Sequence, residues 1–454
     1  MSSHVNPLPV SEKIQAPGPD LFNSMKSLAR ITKEPLKLFN ELHQQYGNVV
    51  CLNLGFNKMF VLNDAHHIKY ILQKNIKNYQ KLQRLERQTK LLFGEGWTHE
   101  INRQIIKPFF APDNYTDMDN AIADATQKML ERWQTFANNR QPFDVAKEMM
   151  SLSLSFTTKT LIDRDFPKEQ NDVAQAMETI IDRLNTRAMS NFNLPENIPT
   201  PANQKYLAAV RTLQTAIDQI IEQRQHQETD KIDLLSVLQS WRDEKTGKGL
   251  SPKLLRERLL WILLPAFEPL GRVLSWVWYL LSLNPHVENQ MRSELESVLG
   301  DRPPTFNDLP NLRYTKMVVE ETLRLYPPFW VMGREAIAPD EVGGFSIPAK
   351  SIVLFNIYGV HHNPTYWDNP ESFDPDRFTP ERSGKRPGAA FIPFSIGSRA
   401  CLGYNLALMQ IQLVVAMVAR VFRLNVVPEH PVEPVAMVSL LPRHGIQVTA
   451  SPRL

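Results

Sequence analysis

Of the two cysteines in the 454-residue chain, Cys401 stands among neighbours that suit a metal-bound thiolate. Its segment reads Phe394-Ser-Ile-Gly397-Ser-Arg399-Ala-Cys401-Leu-Gly403 and runs into an apolar helical stretch, residues 402–422. The first turn of a helix has free N–H groups and a positive dipole end, and both favour a negative sulfur. Gly397 and Gly403 permit close backbone approach to a flat ligand and a turn beneath it. Arg399, two residues from the sulfur, can form charge-assisted bonds to an acidic group on that ligand. One cysteine is too few for tetrahedral zinc or an iron–sulfur cluster, whereas a haem iron needs a single axial sulfur. Cys51, among apolar strand residues, reads as a small core hydrophobe.

Three other constellations carry charge at helical spacing. Glu321 and Arg324 are i,i+3 ahead of Tyr326-Pro327-Pro328, a pairing worth about 0.2–0.5 kcal/mol on an exposed surface. His99 and Arg103 are i,i+4, before Lys107-Pro-Phe-Phe. Glu268 and Arg272 are i,i+4 in the favourable acid-first order, with Pro269 between them. A helix-interior proline costs about 3 kcal/mol unless the helix distorts, and it removes an N–H. Pro265 and Pro269 therefore free the carbonyls of Trp261 and Pro265, good acceptors for water or substrate at a bend.

The pattern Phe394-x-x-Gly397-x-Arg399-x-Cys401-x-Gly403 resembles the haem-binding signature of the cytochromes P450, and the resemblance runs over residues 35–448. It implies a mainly α fold with small β-sheets, a triangular helix-rich domain with haem b buried between a central helix and the cysteine loop. Cys401 would be the proximal iron ligand, a thiolate of the kind that favours O–O cleavage. Phe394, Gly397, Arg399 and Gly403 would complete the haem-binding loop. Glu321-Thr-Leu-Arg324 and Arg377, within Phe373-Asp-Pro-Asp-Arg377-Phe378, resemble a buried charge set that holds the irregular segment beneath the haem. That role is structural. His99, Arg103, Arg334 and His361 match positions that contact haem propionates. The expected substrate pocket takes Ala266, Phe267 and Leu270 from the central helix, Phe329, Trp330 and Val331 after the double proline, and Ser439 and Leu440 near the end.

One departure from the family falls where the chemistry is done. The family's central helix carries an acid followed by a Thr that relays protons during dioxygen activation. Here Leu264-Pro-Ala-Phe-Glu268-Pro269-Leu-Gly271 keeps the acid and lacks the alcohol. Glu268 and Pro269 are thus the candidate catalytic positions, and proton delivery is expected to be unusual.

The elements that must position these groups are mostly helical. Periodicity predicts helices over 117–136, 143–163, 173–190, 204–227, 252–283, 285–299, 311–325 and 402–422. A hairpin is predicted over 48–62, strand-like residues over 342–355 and an irregular Pro/Asp-rich stretch over 363–393. Residues 1–30 are expected to be loosely ordered and 31–454 to form one catalytic domain. Residues 259–283 match a membrane span in length, yet Glu268, Arg272 and two prolines would be costly in lipid, so a buried core helix is expected.

Hydrophobic residues make up 43% and charged ones 22%, which excludes a disordered or collagen-like chain. A net charge of +3 makes no case for nucleic acid. Two cysteines cannot build a disulfide framework, and the N-terminus shows no apolar run of signal-peptide length. The expected protein is a cytoplasmic monomer with no nucleic acid partner and no membrane span. It is expected to oxidise a small or medium apolar molecule with dioxygen, drawing electrons from a separate ferredoxin or flavodoxin. The basic cluster Arg382, Lys385 and Arg386 is a candidate steering patch for that partner. The missing Thr keeps a second expectation open: peroxide use, or rearrangement, coupling or desaturation without oxygen insertion. A haem sensor or carrier is the third.

Overall fold

The computed structural model describes residues 14–453 apart from 56, 95–98, 116–117, 164–169, 191–193 and 226–232. Helices dominate, and the longest, Pro252–Leu283, runs through the middle of the molecule. Its start is set by Ser251, whose side chain accepts from the Leu254 N–H, and by Pro252 in the first turn. Its residues enter two apolar clusters, one on each flank. Phe267, Leu263 and Leu264 pack towards helices Gln170–Met189 and Pro201–Gln225, and Leu274, Trp276 and Val277 towards Arg313–Leu325 and Tyr404–Val421. Gly271 permits the closest approach: a Cβ there would lie 2.5 Å from Met150 Sδ on helix Val145–Ile162. The α-helix continues through both Pro265 and Pro269, where a distortion was expected. Ser153 on the neighbouring helix donates its hydroxyl to the Phe267 carbonyl at 2.6 Å within the core.

The predicted hairpin forms as Val49–Asn53 and Lys58–Leu62, antiparallel with Val49 opposite Leu62. It continues into a five-stranded sheet through Ile352–Asn356, Val331–Ala336 and Tyr79–Gln80. Arg334 lies on the fourth of these strands, opposite Val353. Among the described residues, two helices are long and apolar enough to cross a membrane, Pro252–Leu283 and Tyr404–Val421, and their most apolar windows are 72% and 67% buried in the core.

Residues 14–30 differ from the expectation of loose order over 1–30, of which residues 1–13 lie outside the described residues. From Ile14 onward the chain is tied down, with Ser346 N–H donating to the Ile14 carbonyl at 3.0 Å and Cys51 N–H to that of Pro17 at 2.8 Å. Helix Leu21–Ile31 follows, capped by the Asp20 carboxylate. Prolines and serines suggest a loose tail, but backbone pairing to sheet edges is invisible to composition.

Candidate active site

The cysteine loop is closed by its own backbone. Cys401 N–H donates to the Phe394 carbonyl at 2.9 Å, and Ala400 N–H to that of Gly397 at 3.1 Å. Gly397 has φ +80°, and a Cβ there would sit 2.1 Å from the Leu72 carbonyl oxygen, so no other residue fits. Gly403 has an ordinary φ of −84° and stands at the N-cap of Tyr404–Val421. A Cβ at Gly403 would press on the Phe110 ring at 3.2 Å. Phe394 braces the loop by an edge-on contact with Tyr404 at 4.9 Å.

The Cys401 side chain is accessible although protein encloses it, so it opens on an interior cleft. Burial pushes its thiol up, while the Gly403 N–H and the Arg103 charge pull the other way. Arg103, on helix His99–Ile106, also donates to the Ala400 carbonyl next to the sulfur. The side chain of His99 lies outside the described residues.

The residues present fit a haem. Arg399 donates to the Tyr79 carbonyl at 2.8 Å, and Arg334 to that of Gly333 at 2.8 Å. The two guanidinium groups are close enough to repel: burial, then the Arg399 charge, push Arg334 down to about 10. Arg334 Nε is buried with no hydrogen-bond partner. A buried cation short of acceptors beside a second cation calls for an anion, and the propionates of haem supply one. Together with one accessible sulfur and a loop stripped of Cβ at its closest approach, these groups make a coherent haem cradle.

His361 is placed elsewhere. It is fully buried, Nδ1 lies 3.2 Å from the Arg324 carbonyl, and Nε2 accepts from Ile392 N–H at 3.0 Å. Both nitrogens are thus spent on backbone, which leaves no donor for a propionate and corrects the expected contact. Burial holds its pKa well below the ordinary value, consistent with a neutral ring.

Beneath the loop lies a buried ion-pair network. Arg324 grips Glu321 with two 2.7 Å bonds, and Arg377 Nε adds a third at 3.2 Å. Asp374 N–H donates to the same carboxylate at 3.0 Å. The remaining guanidinium hydrogens reach the carbonyls of His361, Pro370 and Ser372 from Arg324, and of Asn369 from Arg377. This arrangement stitches the irregular 363–393 stretch to helix Arg313–Leu325. The neighbouring cations are also engaged: Arg382 bonds Asp374 at 2.9 Å, and Arg386 lies 4.1 Å above the Trp367 ring. Of the expected steering patch, these two side chains are therefore committed to the fold.

On the opposite side, Glu268 Oε1 accepts from Arg272 Nε at 2.8 Å and from the Ser439 hydroxyl at 2.6 Å. Asn185 adds a tie to this corner by accepting from Val438 N–H at 2.9 Å. Nothing in the sequence singles out Asn185 or the contact between residues 268 and 439.

The expected pocket residues divide. Ala266, Phe329 and Val331 are partly accessible. Phe267, Leu270, Trp330, Ser439 and Leu440 are 5% exposed or less and belong to the core. Trp330 packs on Phe39 and donates to the Met437 carbonyl at 2.8 Å, and the Leu440 carbonyl accepts from the Trp276 indole at 3.2 Å.

Comparison with known proteins agrees with this architecture. The cytochrome P450 family model matches residues 16–450. Cyclooctat-9-en-7-ol 5-monooxygenase of Streptomyces melanosporofaciens is 30% identical over 402 residues, covering 87% of this chain and 86% of the relative. Pentalenene oxygenase of Streptomyces avermitilis is 26% identical, covering 90% of this chain and 91% of the relative. The crystal structure of the cytochrome P450DA haem domain has the same fold, with a TM-score of 0.86 over 97% of this chain and 98% of that one at 22% identity. With the cysteine loop, the paired arginines and the buried ion-pair network on one scaffold, the chain belongs to the cytochrome P450 family.

Proposed function

We propose that this haem-thiolate oxidoreductase is a monooxygenase of apolar, terpenoid-sized molecules, with Cys401 as the iron ligand and Arg103, Arg334 and Arg399 as the haem's polar contacts. The observation that carries this reading is the accessible Cys401 sulfur with Arg103 bonded to the same loop, together with the buried Arg334 cation beside Arg399. The bound haem supplies the redox and oxygen chemistry. The chain's own residues hold the sulfur, satisfy the propionates and shape an apolar wall. The terpenoid class rests on two relatives whose names describe the oxidation of cyclooctat-9-en-7-ol and of pentalenene. Electrons come from a separate ferredoxin or flavodoxin, and the protein works as a cytoplasmic monomer with both long apolar helices packed in its core.

The test is a carbon-monoxide difference spectrum of the reduced holoprotein, followed by spectral titration with cyclic terpenes and turnover with ferredoxin or flavodoxin. A thiolate-type Soret band with terpene-induced shifts supports the reading. A nitrogen-ligated spectrum overturns it.

A second reading, peroxide use or oxidation without oxygen insertion, draws on a specific observation. The accessible face of the central helix near Glu268 carries Pro265, Pro269 and Arg272 and no hydroxyl, while Glu268 is held by two donors. Turnover with hydrogen peroxide and no reductase at a rate matching the reductase-driven one would favour it.

A further inference from the structure

The central helix presents its accessible positions along a single line. Between residues 254 and 279, every partly accessible position except Arg256 and Ala266 belongs to the series Leu254, Arg258, Trp261, Pro265, Pro269, Arg272 and Tyr279. At about 100° per residue, all seven fall within about 40° of one meridian. Apart from Arg256 and Ala266, the other positions from 254 to 279 are buried, most of them in the flanking clusters. Leu406, five residues beyond Cys401, shares a cluster with Leu263, Leu264 and Phe267 on the opposite flank, so the central helix passes near the start of the helix that follows the cysteine loop. The stretch from Arg258 to Arg272 is one wall of the cleft, while Tyr279 opens on a separate pocket beside His286 and Glu371.

One turn of this wall is polar. Pro269 has no N–H to give the carbonyl four residues back, so the Pro265 carbonyl is left for an outside donor. Pro265 is itself among the exposed residues of this otherwise buried helix. Arg272 uses Nε on Glu268 at 2.8 Å, and its Nη groups are neither bonded to protein among the described residues nor closed off by burial. Helical side chains lean towards the N-terminus, so Arg272 reaches back over the turn of Glu268. A carbonyl points forward along the helix, so that of Pro265 faces the same turn. Ser439 holds the Glu268 oxygen from the other side at 2.6 Å and keeps the guanidinium in place.

We propose that this turn reads a hydroxyl already present on the substrate, its O–H donating to the Pro265 carbonyl and its oxygen accepting from Arg272 Nη. The substrate class is then an apolar skeleton bearing an alcohol rather than a bare hydrocarbon. A carboxylate fits less well, because it has no proton for the carbonyl and would face the Glu268 charge. The reaction that supplies such a substrate is one that leaves a hydroxyl, either an earlier oxygenation or a cyclisation quenched by water. This inference rests on the apolar-substrate reading above and narrows it.

The test uses haem-loaded protein and matched probes, cedrol with cedrane and 1-dodecanol with dodecane, each titrated spectrally and by calorimetry. The expected wild-type preference for alcohol over hydrocarbon in the better-bound pair is roughly tenfold, the value of one or two hydrogen bonds in a dry site. Pro269→Ala restores the N–H that captures the Pro265 carbonyl and removes a helix breaker, so it folds at least as well as wild type. The ratio of its alcohol affinity to its hydrocarbon affinity should fall to about twofold or less, and Arg272→Leu should act in the same direction. Equal wild-type affinity for alcohol and hydrocarbon, or full retention of the preference in Pro269→Ala, overturns the inference while leaving the apolar-substrate reading standing. Failure of all four probes to bind a protein with an intact thiolate spectrum overturns both.

Discussion

The floor beneath the cysteine loop and the wall across from it are built by opposite rules. Under the loop, Glu321, Arg324 and Arg377 are almost fully buried, and each charge is matched by named partners. A desolvated charge is tolerable in a protein interior only when its hydrogen-bonding capacity is filled, so the floor cannot drift one residue at a time. The wall asks for shape and a few polar atoms. It carries two prolines, leaves the carbonyls of Trp261 and Pro265 without their usual donors four residues on, and holds Glu268 by Arg272 and Ser439. The comparison teaches where this enzyme's individuality lies: the cysteine loop and its floor match the family motif, and the central helix across from them departs from it.

The largest effect should come from breaking the floor. Glu321→Ala leaves two buried guanidinium groups facing each other without their shared carboxylate, at a cost of about 3–5 kcal/mol. Denaturant unfolding of the holoprotein measures it. A loss under about 1 kcal/mol would mean the floor is no more demanding than the wall.

Acid should find the same side first. Burial pushes His362 down to about 4 from an ordinary 6.5, and its ring stacks on Tyr358 at 4.0 Å. His361, beside it, is held well below its ordinary value by burial. The unfolded chain takes up protons near pH 6.5 that the folded protein refuses until about pH 4. Their contribution is therefore complete above pH 6.5 and is lost as the pH falls towards 4, by about 3 kcal/mol for His362 alone. Unfolding free energies at pH 7, 5.5 and 4.5 check the slope, and His362→Phe should flatten it.

What could be read beforehand follows from how far apart the interacting groups lie in the chain. Phe394 to Gly403 is legible because its demands are local: a glycine at φ +80° in the turn and a sulfur ahead of a helix start. Glu321 and Arg324 are legible as a spacing, but their burial depends on carbonyls some 50 residues away, such as that of Ser372. The central helix misleads in a different manner. It is apolar nearly all round, so residue type cannot say which side faces the cleft. Phe267 and Leu270 were therefore expected in the pocket and lie in the core, while Pro269 and Arg272 stand on the open line. His361 was placed by its motif neighbours, and its hydrogen bonds to Arg324 and Ile392 come from tertiary structure.

The wall should respond to substitution with gains as well as losses. Pro269→Thr replaces a helix-interior proline and should stabilise the protein by about 2 kcal/mol, seen as a raised melting temperature. It also places a hydroxyl on the open line beside Glu268. Product formed per reductant consumed should then change severalfold if proton delivery in the wild type is unusual. Unchanged coupling would show that the missing alcohol is irrelevant and that the wall differs from the family in shape alone.

The smallest expected effect isolates the tie between wall and loop. Ser439→Ala removes one buried donor from Glu268 but leaves Arg272 on the same oxygen, so the carboxylate keeps its charge partner. The cost should be about 1 kcal/mol in stability, within the range of a single hydrogen bond. Because Ser439 and Val438 are also anchored through Glu268 and Asn185, the loop near the cleft should loosen and raise KM by a few fold with little change in kcat. A fall in kcat at constant KM would instead make the Ser439 hydroxyl part of proton delivery. That outcome would turn the wall from a shaped surface into working machinery and erase its contrast with the floor.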